Sequence, residues 1–83
     1  MKTIYKYQLP AVGALKLPLG AQILTVQLQN GTPTLWALVQ PDNTLVDRTI
    51  SIVGTGSEVE DNMKYICTYK DGPFIWHAFE ILK

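Results

Sequence analysis

The sequence predicts an all-β chain: one small antiparallel barrel or sandwich of about five or six strands over residues 1–83, with little or no helix. Two observations carry this expectation. Apolar residues recur at a period of two along most of the chain, and the alternating segments are separated by Pro, Gly, Asn and Asp in turn-forming combinations. No ten-residue window spaces its apolar residues at three and four, as an amphipathic helix requires.

In "TIYKYQLP", Tyr5, Tyr7 and Leu9 lie on one side and Ile4, Lys6 and Gln8 on the other, a first strand stopped at Pro10. "AVGALKLPLG" reads as a loop with a short extended piece at Leu15 to Leu17, because Gly and Pro crowd it and no stripe emerges. "AQILTVQLQNGTPTLWALVQP" carries the strongest local signal. Leu24, Val26 and Leu28 alternate with Thr25, Gln27 and Gln29, Asn30-Gly31 tolerates positive φ, and the chain runs back through "TLWALVQ". In that return strand Leu35, Ala37 and Val39 oppose Trp36 and Leu38, so neither side is polar and the strand is expected to be central or sandwiched.

"PDNT" at 41–44 is a turn with Pro41 preset for it. "LVDRTISIVGTG" is a strand with Val46, Arg48, Ile50 and Ile52 on one face and Asp47, Thr49, Ser51 and Val53 on the other. "SEVEDN" is an exposed loop holding Glu58, Glu60 and Asp61. "MKYICTYKDGPFIWHAFEIL" closes the chain as a hairpin around Asp71-Gly72, with Tyr65, Cys67 and Tyr69 alternating with Lys64, Ile66, Thr68 and Lys70.

Composition bounds the function. Apolar residues make up 47 % of the chain and charged residues 17 %, so the chain folds, and a domain this short is hard pressed to bury all its apolar surface in one copy. A homo-oligomer is therefore expected. Seven Lys and Arg balance seven Asp and Glu, which argues against non-specific nucleic-acid binding. A single cysteine, Cys67, rules out an intrachain disulfide, and charged and aromatic residues interrupt the first ten positions where a signal peptide would lie, so a cytoplasmic location is expected. No apolar run approaches the roughly 18 residues of a helical membrane span, so no membrane partner is expected.

Few residues carry chemistry. With one His, one Cys and no ligand spacing, no metal or other cofactor is expected. A nucleophile and base could be drawn only from His77 with Cys67, Ser51 or Ser57, and Cys67 lies near enough to His77 in the expected hairpin for that to be considered. No orienting group or oxyanion hole accompanies them, however, and alternation puts Glu80 on the face opposite His77. No enzyme is expected. "GTGS" at 54–57 lacks the Lys and the following helix of a phosphate loop; the glycines fit a bulge or sharp turn, or a backbone nest for an anion at a subunit boundary. The ligand-binding candidates are the strand aromatics Tyr5, Tyr7, Trp36, Tyr65, Tyr69 and Trp76, the backbone of Gly54, Thr55 and Gly56, and His77.

"KTIYKYQL", "GAQILTVQLQNGTPTLWALVQP", "IVGTGSEV" and "YICTYKDGPFIWHAFE", in this order over nearly the whole chain, resemble a family of small bacteriophage-encoded proteins grouped as a domain of unknown function. The resemblance implies an accessory role in infection, in the host cytoplasm. The function expected is a non-catalytic protein that binds and occupies a host target. Its most concrete form is an antagonist of a bacterial defence system that masks a host protein or sequesters a small nucleotide signal between subunits. The alternative is a small self-associating virion or assembly component.

Overall fold

A computed structural model describes residues 1–83 as seven strands and no helix. They are β1 (Thr3–Gln8), β2 (Ala14–Pro18), β3 (Gln22–Gln29), β4 (Thr32–Val39), β5 (Leu45–Gly54), β6 (Met63–Asp71) and β7 (Phe74–Ile81). A three-stranded sheet in the order β1-β4-β3 packs against a four-stranded sheet in the order β2-β5-β7-β6, and every pairing is antiparallel. The two sheets do not close on one another, so the fold is a sandwich. Five or six strands become seven because the piece at Leu15 to Leu17 pairs along five residues with β5 and is a full edge strand, despite the Gly and Pro around it.

The core lies where the inner faces meet. Leu17 of β2, Val26 of β3, and Leu35 and Val39 of β4 are fully buried, each side chain contributing about 1.5–3 kcal/mol relative to exposure. β4 is the middle strand of its sheet, as its two apolar sides require: Leu35, Ala37 and Val39 face the core, while Trp36 and Leu38 are half-buried on the outside. Asn30 and Gly31 have φ of 52° and 78°, the two left-handed residues of a type I′ turn joining β3 to β4.

Two bulges overturn the expected alternation. In β3 the register shifts between Ile23 and Thr25, so Ile23 opposite Ala37 points inward and Leu24 is the extra residue, left 40 % exposed. In β6 it shifts between Tyr65 and Cys67. Tyr65, opposite Phe79, therefore faces outward, whereas Cys67, opposite Ala78, and Tyr69, opposite Trp76, face the interior. Cys67 is consequently on the other side of the sheet from His77, which closes the route to a Cys/His pair. The last hairpin also turns one residue later than expected. Asp71 pairs with Phe74, the loop is Gly72-Pro73, and Gly72 with φ of 57° followed by Pro73 fits a type II′ turn.

The bulged edges face each other across the sandwich. Val26 donates its N–H to Cys67 Sγ at 3.2 Å, and the thiol donates back to Val26 O at 3.1 Å, tying β3 to β6 where no ladder forms. On the inner face, Arg48 of β5 grips the Glu80 carboxylate of β7 through Nε and Nη2 and donates Nη1 to Ala21 O at 2.9 Å. This fork links β5 and β7 to the loop that enters the opposite sheet.

Candidate functional site

The β1–β2 loop runs in beside the edge of β5 and leads into the β2–β5 ladder. Pro10 opens a turn in which Gly13 N donates to Pro10 O at 2.9 Å, and Gly13 O in turn accepts Ile50 N at 2.8 Å. Gly13 has φ of 72°, and a Cβ there would sit 1.9 Å from Ile50 O, so only glycine allows the loop to lie this close to β5. Between the loop and the four-stranded sheet is a cleft of about 720 Å³. Its size and mostly apolar walls are those of a ligand pocket.

Leu9, Pro10 and Val12 form one wall and Ile50 and Ile52 the other, with Tyr69, Asp71 and Trp76 between them. Tyr69 and Trp76 bring donor groups to this lining: neither Tyr69 Oη nor Trp76 Nε1 bonds within the chain, and since no buried side-chain nitrogen or oxygen lacks a partner, both atoms keep contact with solvent. Burial first, then the neighbouring Cys67 and Asp71, push the Tyr69 hydroxyl above its ordinary pKa, which keeps it a neutral donor. Asp71 is the one charged residue of the lining, and no Lys or Arg reaches it. Val12, on the loop side of the cleft, is 79 % exposed.

The sequence-predicted residues are not brought into one site. Tyr69 and Trp76 meet in the cleft. Gly54 lies opposite Trp76, and a Cβ there would press on the indole at 3.2 Å, so this glycine makes room for the ring. Thr55 and Gly56 form the turn closed by Ser57 N to Gly54 O at 3.1 Å; Gly56 has φ of 95°, as a type II turn requires at that position. Tyr7 packs against the core from β1, where burial and then Tyr5 raise its pKa, while Tyr5 stays exposed beside it and Trp36 of β4 lies on the outer face of the same three-stranded sheet.

His77 and Tyr65 lie on the outer face of the four-stranded sheet. His77 Nε2 is 2.9 Å from Thr55 Oγ1, and Nδ1 is 2.9 Å from Thr68 Oγ1, which is itself 2.7 Å from Tyr65 Oη. The imidazole is held on both sides by hydroxyls, one ring nitrogen donating and the other accepting. Glu80 is on the opposite face with Arg48, as alternation required, so no carboxylate orients the ring as a base.

Sequence reasoning missed Leu9, Pro10, Val12 and Asp71. The signal was the glycine of "PAVG": a Gly directly after an apolar pair in a loop is where the backbone can make a close approach, here to Ile50. Residues 1–82 match the family described as Domain of unknown function (DUF7352), and the chain belongs to that family. No curated protein and no solved structure matches the chain.

Proposed function

We propose that the protein is a non-catalytic binding protein that occupies a protein target by taking one of its apolar or aromatic side chains into the inter-sheet cleft. The observation that carries this is the composition of the cleft: a lining in which apolar residues predominate, two donor-bearing aromatics in Tyr69 and Trp76, and an exposed apolar rim at Val12. Such a rim suits a macromolecular surface more than a small solute, since the rim is covered only if the ligand extends beyond the pocket. The donors would bond a backbone carbonyl or side-chain oxygen of the target.

In the phage setting that the sequence resemblance implies, the target is a host protein and the outcome is the masking of a bacterial defence component in the host cytoplasm. Electrostatics separates this from capture of a nucleotide signal. Phosphates call for cations, and the cleft offers only the Asp71 carboxylate. The Arg48 fork is already committed to Glu80.

The test is capture from infected cells with wild-type protein and with Val12→Asp, a rim change at an exposed site, followed by reconstitution with the purified partner. Stoichiometric partner binding weakened about 10-fold or more by Val12→Asp supports the reading. Retention of the same partner at equal affinity by Val12→Asp and Trp76→Ala, or release of a phosphorylated small molecule from the cleft in place of a protein, overturns it.

A further inference from the structure

We propose that the outer face of the four-stranded sheet is a self-association surface that docks a second copy of this chain, sheet on sheet about a two-fold axis. The face is built from neighbouring strands by register: Val53 beside His77, Phe79 between Ser51 and Tyr65, and Ile81 beside Thr49. Ile75 is 40 % and Tyr65 56 % exposed, and Tyr65 meets Phe79 edge to face at 5.7 Å between centroids. An apolar row on three adjacent strands is the pattern of an inner sandwich face, yet here it points away from the core.

The polar groups in the middle of that face are already satisfied within the sheet. Tyr65 Oη, Thr68 Oγ1, both nitrogens of His77 and Thr55 Oγ1 form one continuous chain of hydrogen bonds, ended by Thr55 Oγ1 to Ile75 O at 3.4 Å. Covering them would strand no donor or acceptor, so the desolvation cost that normally keeps a His-bearing face in water is small. This gives the half-exposed histidine a role without chemistry.

A copy of the same chain is the occupant the charges allow. The centre of the face, from Ser51 to Val53 and His77 to Phe79, holds no acid or base other than His77; Lys70 lies at its margin beside Ile75, and at the opposite margin Lys16 and Asp47 neutralise each other. β1 carries Lys6 with Lys2 beside it and no acid, and the outer face of the three-stranded sheet joins Lys6 to a row of glutamines. Area points the same way. The accessible surface is 5527 Å² for a 9.3 kDa chain, where a compact monomer of that mass exposes about 5,000 Å². An excess of that order is most of the ~800 Å² each partner contributes to a stable interface.

The experiment is light scattering after size exclusion, with sedimentation velocity, on the full chain over about 5–200 µM, a range that spans micromolar dissociation constants. The wild type is compared with Ile75→Lys and Phe79→Lys on the face and with Ile4→Lys on the β1 edge, each checked for its β circular-dichroism spectrum. Wild type and Ile4→Lys are expected at twice the 9.3 kDa chain mass, and Ile75→Lys at the monomer mass, with dissociation raised about 10-fold or more. A wild type that stays monomeric throughout overturns the proposal. So does a dimer that survives Ile75→Lys, or one that Ile4→Lys dissolves in its place. Ile75 is exposed enough for its substitution to leave the fold intact should Phe79→Lys not fold. The cleft variant Val12→Asp should leave the mass unchanged, which separates this face from the target-binding reading.

Discussion

At the residue scale the Arg48–Glu80 fork is the most consequential contact that the sequence did not announce. Their side chains are 21 % and 12 % exposed, and the hydrogen bond to Glu80 raises the guanidinium pKa against the opposing cost of burial. Glu80→Gln would leave Arg48 charged and half-desolvated, and unfolding should be easier by about 2–3 kcal/mol, somewhat below the cost for a fully buried pair because part of the guanidinium keeps its water. Replacing both partners, Arg48→Met with Glu80→Leu, should recover most of that loss, since the cavity is then filled by apolar groups with nothing left unpaired. Chemical denaturation of the two variants checks this; equal losses would mean that the fork packs but does not pair. Tyr69 gives a pH dependence of known sign. Its folded pKa is raised above the ordinary 10.0, so the native state holds its proton longer than the unfolded chain does. The stability it contributes is intact below about pH 10 and is lost as pH rises through the folded value. Tyr69→Phe should flatten that alkaline decline, measured by urea midpoints between about pH 8.5 and 11.5; an unchanged slope would assign the decline to Tyr7, whose pKa is also raised.

At the scale of elements, the turns and the β1–β2 loop decide where strands meet. Gly13→Ala should cost far more than Gly20→Ala, although both glycines have positive φ, at 72° and 81°. A Cβ at Gly20 meets open space and carries only the left-handed backbone penalty of about 1–2 kcal/mol. At Gly13 it collides with Ile50 O, so the loop must lift, its bond to Ile50 N must break, and the cleft must lose a wall. Comparative thermal melts check the order, and equal costs would show that the loop yields freely. The contrast also shows what was legible. Strand positions, the β3–β4 turn, the faces of β4, β5 and β7 and the separation of His77 from Glu80 follow from period-two patterning and local turn chemistry, which act within a few residues. The bulges at Leu24 and Ile66 do not, because a bulge is fixed by the partner strand and by what the edge must avoid. That single missed residue in β6 put Tyr65 on the face opposite Cys67 and Tyr69, and Cys67 on the side of the sheet away from His77. β2 was undervalued for a related reason: its pairing with β5 spans some thirty residues of sequence, beyond any local signal.

For the whole molecule the governing fact is thinness. The sandwich measures 39 × 30 × 18 Å, and only 12 of 83 residues are buried, so stability is concentrated in the strands that have neighbours on both sides. β4 lies between β1 and β3, and β7 between β5 and β6; β1 touches its sheet along one edge and is exposed at five of its six residues. Local opening should therefore peel β1 first, leaving the Leu35–Val26 contact and the β5–β7–β6 unit intact, because lifting it uncovers little more than Tyr7 and Leu9. Native-state hydrogen exchange tests this directly. The β1 amides bonded to β4 should exchange through an opening that costs about 2 kcal/mol or more below the global value reported by the amides of β4 and β7. In the dimer proposed above, the β7 amides should gain protection with protein concentration while those of β1 do not, since a second copy would cover one sheet and leave the other edge in water. Protection of β1 equal to that of β4 would refute the order of opening. A concentration-dependent gain confined to β1 would move the self-association surface from the sheet face to the edge.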